Sequence, residues 1–254
     1  MENGNLKAIV LDLDGTLLRS DGSISEYTLG VLQECKNRGI LVVIATARFW
    51  FKAEKYIHMI LPDYAILADG TQIYHDGKLI YGYAMDKGQS NGLISELLCK
   101  ADYDFVASIG KELLCSSTGI DETWRKTSDF MNLSDVSVYK IAAVLKDHEA
   151  AKELAKKYNC RLYSYRDEDL YGFACSNSGK YQAVAALGDL LQIKSEEMIA
   201  FGDDENDYEI LKNVGCGIAV DNAIPMIRGI ADDIAESNDD DGVAKYIERM
   251  FQEA

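Results

Sequence analysis

Lys7-Ala8-Ile9-Val10-Leu11-Asp12-Leu13-Asp14-Gly15-Thr16-Leu17-Leu18 is an apolar run that leads into two carboxylates one residue apart, after which Gly15 and Thr16 turn the chain. With β-branched Ile9 and Val10, the run reads as a short buried parallel strand with its acids at the carboxyl end. Open α/β sheets bind ligands at that end. On an extended strand Asp12 and Asp14 share one side, because Leu13 alternates between them. Two like charges held close repel unless they share a cation or a proton. The pattern therefore points to a divalent metal with oxygen ligands or to an acid/base pair. The competing reading is a solvated Asp-Gly turn. Matching groups at other strand ends decide between them.

Working outward, Ser25 caps an expected helix through about Arg38, with Leu29, Leu32 and Cys35 at helical spacing and Gly39 as its stop. Ile40–Ala45 is the second buried strand and ends in Thr46-Ala47-Arg48. A helix over Phe49 to Ile60 and a third strand over Tyr64–Leu67 follow. After Asp69-Gly70, His75-Asp76-Gly77-Lys78 joins Gln72–Tyr74 to Leu79–Tyr83 as a hairpin. Strands alternating with helices predict a parallel α/β, Rossmann-like sheet.

From about Ala84 to Asn177 the pattern changes. Helices are expected at about 87–100, 120–131 and 149–158. Strands are expected at 105–108, 112–115, 138–145, 161–165 and 170–175. Paired strands beside helices describe an α+β unit with an antiparallel sheet, inserted into the first. The division is 1–83 core, 84–177 insertion, 178–254 core. In the last part, Gly179 to Leu191 is a helix with Lys180 in its first turn. The strand Met198–Phe201 runs into Gly202-Asp203-Asp204-Glu205-Asn206-Asp207, and a helix covers Glu205 to Leu211. The strand Val214–Val220, a helix at Ala223–Arg228, a short strand at Ala231–Ala235 and a helix from Gly242 complete it. The acidic run 236–241 reads as a solvated loop that caps this last helix.

The formal net charge of −16 opposes binding to nucleic acid or to an anionic membrane, and neither is expected as a partner. The six cysteines, at 35, 99, 115, 160, 175 and 216, form no C-x-x-C and lie near no histidine at metal-ligand spacing. They read as reduced, mostly buried thiols, Cys99 after Leu97-Leu98 among them. With no apolar signal segment at the N-terminus and no run of membrane-spanning length, the expectation is a soluble cytoplasmic protein.

Asp12 with Asp14, Thr46, Lys180, and Asp203 with Asn206 and Asp207 all fall at or near predicted strand ends. In this order they resemble the four motifs of the haloacid-dehalogenase-like hydrolase superfamily, over nearly the whole chain. The tail Gly217-Ile218-Ala219-Val220-Asp221-Asn222-Ala223, with Asp241-Gly242-Val243-Ala244, is similar to the Cof-type branch, and the insertion resembles that branch's α/β cap domain. Four positions depart from the branch's usual pattern: Ala47 and Asp221 stand where Gly is usual, Asp69 where Asn is usual, and Tyr181 where Gly follows the motif lysine.

The resemblance implies an Mg²⁺-dependent phosphatase acting on small phosphorylated metabolites through an aspartyl-phosphate. Asp12 is then the nucleophile and Asp14 the acid/base. Mg²⁺ is held by Asp12, the Asp14 backbone carbonyl and Asp203, with Asp207 fixing its waters or Lys180. Thr46, Arg48, Lys180 and Asn206 are the groups expected toward substrate. Two carboxyl-to-phosphate charges about 4 Å apart repel by about 4 kcal/mol at an effective dielectric of about 20, so the cations are needed. Competing readings are a phosphomutase or phosphotransferase, a receiver-type signalling module, and a non-catalytic binding protein on the same fold. The particular substrate, the cap residues that select it and the oligomeric state are not legible.

Overall fold

The computed structural model describes residues 6–100, 104–116, 125–126, 136–165 and 169–253. Along the chain the strands are β1 (Ala8–Leu11), β2 (Leu41–Ala45), β3 (Tyr64–Leu67), β4 (Gln72–His75), β5 (Lys78–Gly82), β6 (Phe105–Ile109) and β7 (Glu112–Cys115). They continue as β8 (Arg125–Lys126), β9 (Lys140–Val144), β10 (Cys160–Ser164), β11 (Leu170–Cys175), β12 (Met198–Gly202), β13 (Cys216–Val220) and β14 (Asp233–Ala235). The helices are α1 (Glu26–Asn37), α2 (Trp50–Ile60), α3 (Lys87–Cys99), α4 (His148–Lys157), α5 (Lys180–Leu191), α6 (Tyr208–Asn213), α7 (Pro225–Ile230) and α8 (Gly242–Gln252). The chain divides into two units, Met1–Arg48 with Lys52–Ile80 and Gly179–Ala254, and Phe49–Phe51 with Tyr81–Ser178.

The first sheet has the order β14-β13-β12-β1-β2-β3-β4-β5. The strands from β14 to β3 are parallel, and β4 turns back antiparallel on β3. Every residue of β1 and β12 is buried, as expected of central parallel strands covered on both faces. The register brings Leu11 level with Ile44 on one side and Phe201 on the other. Asp12 directly after Leu11, and Thr46 and Asp203 two positions after Ile44 and Phe201, therefore leave the sheet at the same carboxyl end.

Local rules account for α1. Ser25 accepts a hydrogen bond from the Thr28 N–H (3.0 Å), Val31, Leu32 and Cys35 face inward, and Gly39 follows the helix at φ +75°.

In the second unit the sheet order is β10-β11-β9-β6-β7-β8. Its pairs are antiparallel except β7 with β8. Leu93, Ile94 and Leu97 of α3 and Leu154 of α4 join Phe105, Ile141 and Phe173 in one buried cluster. This is the α+β architecture expected of the insertion.

Some local expectations change. Arg125–Lys126, placed in a helix by pattern, forms β8 beside Leu114–Cys115. The rest of that expected helix, with Trp124, lies outside the described residues. Cys99 is exposed, because it ends α3 on the side away from Leu97. The acidic run does not simply face water: Asp239 takes two hydrogen bonds from Ser20, and Asp241 binds Arg19 and Thr28. No helix among the described residues is long and apolar enough to cross a membrane.

Candidate active site

The turn after β1 shapes the site. Asp12 donates its N–H to the Phe201 carbonyl (3.2 Å), and Leu18 closes a wide turn onto the Leu13 carbonyl (2.9 Å). Gly15 sits inside that turn at φ +75°, a backbone region that favours glycine. A β-carbon there would lie 2.6 Å from Asp203 Oδ2, so glycine is what lets the Asp203 carboxylate approach. Thr16 Oγ1 then donates to Asp203 Oδ1 (2.9 Å), and Asn222 Nδ2 donates to the Gly15 carbonyl (2.6 Å).

Asp12, Asp203 and Asp207 are all buried, and each presents a carboxylate oxygen within 4.8 Å of the others. Lys180 starts α5 and lies among them. Its Nζ donates to Asp12 Oδ1 (2.6 Å), Asp207 Oδ1 (2.7 Å) and Asn206 Oδ1 (3.3 Å). Asp207 spends its other oxygen on the backbone, accepting from the N–H groups of Asp203 (3.1 Å) and Asp204 (3.3 Å). That turn needs Gly202, where a β-carbon would meet the Asp207 side chain at 2.5 Å.

The electrostatics are those of an unbalanced pocket. Burial pushes the Asp12 carboxyl well above its ordinary range; Lys180 opposes the shift, and the charges of Asp207 and Asp203 add to it. Burial likewise lifts Asp203 to about 7, with Asp207 adding and the Thr16 hydrogen bond easing it. Burial works against the charge of Lys180, but Asp12 and Asp207 overcome it and hold the ammonium firmly protonated. Three carboxylates against one ammonium leave a formal charge of −2 when all are ionised (three negative, one positive). The donor set is all oxygen, anionic and buried, and so fits a hard divalent cation such as Mg²⁺.

Asp14 is arranged differently. Its carboxylate is half-exposed and is gripped by both edges of the Arg48 guanidinium, Nε to Oδ2 (2.7 Å) and a terminal nitrogen to Oδ1 (2.5 Å). The Asp14 side chain therefore stays outside the acidic cluster. Thr46 is fully buried and its Oγ1 accepts the Arg48 N–H (3.2 Å). Of the residues singled out by sequence, Asp12, Lys180, Asp203, Asn206 and Asp207 come together around one ammonium, and Asp14, Thr46 and Arg48 form a second group.

Two sets of supporting residues stood in the motifs, but what they hold was not legible in the sequence. Thr16 is 187 positions from its partner Asp203, and Asn222 is 207 positions from Gly15. Ala68, Asp69 and Gly70 form a run of three left-handed residues after β3. Ala68 N–H donates to the Arg48 carbonyl (2.9 Å) and Asp69 N–H to the Thr46 carbonyl (3.3 Å). Asp69-Gly70 was a visible turn signal, but nothing local showed what the turn would hold.

A family model described as haloacid dehalogenase-like hydrolase matches residues 9–247. The chain is 29% identical to the 5-amino-6-(5-phospho-D-ribitylamino)uracil phosphatase YitU of Bacillus subtilis (strain 168), over 96% of this chain and 97% of that protein. It is 27% identical to Phosphatase YwpJ of the same organism, over 97% and 100%. Among solved structures, it matches a haloacid dehalogenase-like hydrolase from Bacteroides thetaiotaomicron with a TM-score of 0.84 and 25% identity, covering 97% of this chain and 100% of that one. The parallel sheet, the inserted antiparallel unit and this match along almost the full length agree: the chain belongs to the haloacid dehalogenase-like hydrolases, in their Cof-type branch, and is a phosphoric monoester hydrolase.

Proposed function

We propose that the protein hydrolyses small phosphorylated metabolites, such as sugar phosphates, through a phosphoryl group carried on Asp12, with Mg²⁺ as cofactor. The observation that carries the reading is the buried Asp12 carboxylate, paired with Lys180 at 2.6 Å beside the two acids Asp203 and Asp207. Asp12, Asp203 and Asp207 would hold the metal, with the Asp14 carbonyl as a further oxygen donor. When bound, the metal supplies positive charge against the transferring phosphoryl group.

The chain's own groups do the rest. Asp12 attacks phosphorus, and the bond to the leaving oxygen breaks. Lys180 adds positive charge at the reacting end, fixed by Asp207 and Asn206, and the Thr46 hydroxyl offers a hydrogen bond to a phosphoryl oxygen. Asp14 hands a proton to the leaving oxygen, then takes one from the water that cleaves the acyl phosphate. For the first of these steps the Arg48 guanidinium has to release the Asp14 carboxylate. An anionic substrate group is a suitable new partner for it.

The phosphorylated ribitylaminouracil in the names of the Bacillus relatives makes polyol and sugar phosphates the first substrates to try. The test is release of inorganic phosphate from a chromogenic ester and from a panel of such metabolites, with Mg²⁺ and with chelator. Turnover that survives chelation, or that is unchanged in Asp12→Asn, would overturn the reading. Phosphate that returns to the sugar instead of to water would show a mutase.

A further inference from the structure

We propose that Cys160 and Cys175 are a redox-modification site, forming a reversible cross-strand disulfide when the protein meets a hydroperoxide. Cys160 opens β10, Cys175 closes β11, and the antiparallel register sets them directly opposite each other. Opposed residues of an antiparallel pair have Cα atoms about 4.5 to 5.5 Å apart and side chains on one face. A disulfide accepts Cα separations of about 4.4 to 6.8 Å, a range that the register satisfies, and the β-carbons, about 4.5 to 5.5 Å apart in opposed pairs, have to close slightly.

The shared face is confirmed by neighbours. Tyr171 and Phe173, in step with Cys175 along β11, belong to the unit's buried cluster, and Cys160 and Leu162 pack against that same cluster. Neither cysteine is bridged and both are only partly buried, which leaves room for a small oxidant; the Cys160 thiol donates to the Tyr158 carbonyl (3.5 Å). Burial, with the neighbouring Cys175 adding, pushes the Cys160 thiol up to about 12, so Cys160 stays protonated and suits the resolving role rather than the first attack. Elsewhere in the strand registers, Cys115 faces Val106 and Cys216 faces Ile199.

This strand end is already tied. The Cys175 carbonyl accepts from the Ser178 N–H (2.9 Å) and hydroxyl (2.7 Å), and Arg161, next to Cys160, donates to the Ser178 carbonyl (2.7 Å). The bridge would lock covalently an end that hydrogen bonds already define.

The chemistry balances. The Cys175 sulfur attacks the O–O bond of the hydroperoxide as thiolate; an S–O bond forms, the O–O bond breaks, and the departing oxygen takes a proton. The second sulfur attacks the resulting sulfenic sulfur; the S–S bond forms, the S–O bond breaks, and water leaves with the second thiol's proton. Two electrons pass from the sulfurs to the peroxide.

The test uses the full chain carrying Cys99→Ser, which removes the exposed thiol and leaves five cysteines (six less one). After hydrogen peroxide and alkylation in denaturant, the expected result is three alkylated cysteines and one linked peptide pair containing Cys160 and Cys175, reversed by dithiothreitol. The oxidised chain should melt a few degrees higher than the reduced one, by roughly what a loop of this length gives. Adding Cys160→Ser or Cys175→Ser should abolish both the link and the shift. Undiminished alkylation at both positions, oxidation to sulfinic acid without a link, or a bridge between other cysteines would each overturn the proposal.

Discussion

Asp12 carries two burdens that a single substitution separates. As the proposed nucleophile it cannot be replaced, so Asp12→Asn should lose turnover by about 10³-fold or more. As a buried acid beside two others it is poorly accommodated when ionised. Lys180 keeps Asp207 at 2.7 Å and Asn206 at 3.3 Å after the change. In chelator the asparagine variant should therefore be about as stable as the wild type, within roughly 1 kcal/mol, as read by urea unfolding. Lys180→Met is the contrast, because it strands Asp12 and Asp207 without their buried cation. It should cost about 3 to 5 kcal/mol in chelator, and added Mg²⁺ should recover part of that loss.

Asp203 makes the pH dependence explicit. It titrates at about 7 in the folded chain against an ordinary value of 3.8, so the folded state holds an extra proton between the two. Where the folded state binds more protons, stability falls as pH rises. In chelator this residue's contribution therefore declines from about pH 4 to about pH 7. Metal binding must displace the same proton, and burial raises Asp12 as well, so Mg²⁺ affinity should weaken by about tenfold or more per pH unit below about pH 7. Isothermal titration at pH 6, 7 and 8 checks this, and equal affinities at pH 6 and 8 would rule it out.

At the scale of elements, the turn after β3 ties the two site groups together. Gly70 has φ +85°, and a β-carbon there would stand 2.1 Å from the Gly179 carbonyl oxygen and 2.6 Å from the Lys180 nitrogen. Neither neighbour is a flexible side chain that can swing away. Gly70→Ala should lose more than the roughly 1 to 2 kcal/mol of a left-handed backbone and should shift the start of α5. The measurement is unfolding free energy beside turnover, with Gly22→Ala, at φ +75° in the turn before α1, as a control for backbone strain. If the two variants lose turnover equally, the turn does not hold α5 in place.

The same scale shows what could be read in advance. The apolar runs Ala8–Leu11, Leu41–Ala45 and Met198–Gly202 were legible because burial on both faces leaves no polar alternation to confuse. Asp12, Thr46 and Asp203 were legible because each follows such a strand, and Lys180 because it opens the helix α5. Arg125–Lys126 was not, because a two-residue strand carries no period and exists only through its pairing with Leu114–Cys115. The docking of Asp239 and Asp241 onto Ser20, Arg19 and Thr28 was hidden for a similar reason. An acidic run looks the same to local reasoning whether water or a partner more than 200 residues away satisfies it.

For the whole molecule, diffuse charge and the site make different predictions. A formal net charge of −16 attracts any cation and relieves repulsion across the surface. A metal seated by Asp12, Asp203 and Asp207 acts only on the unit that contains those acids. At free Mg²⁺ about a hundredfold above its dissociation constant, binding adds about 2.7 kcal/mol to that unit's stability. Hydrogen exchange read strand by strand separates the two effects. Mg²⁺ should slow exchange in β1 and β12 by up to about a hundredfold, where opening exposes the metal site. It should leave β9 and β11 of the other unit at the rates seen in sodium chloride of equal ionic strength. In Asp203→Asn the difference between Mg²⁺ and sodium chloride in β1 and β12 should shrink towards zero. Equal protection of β1 and β9 by Mg²⁺ in the wild type would assign its effect to surface screening and leave the acidic cluster without a metal to hold.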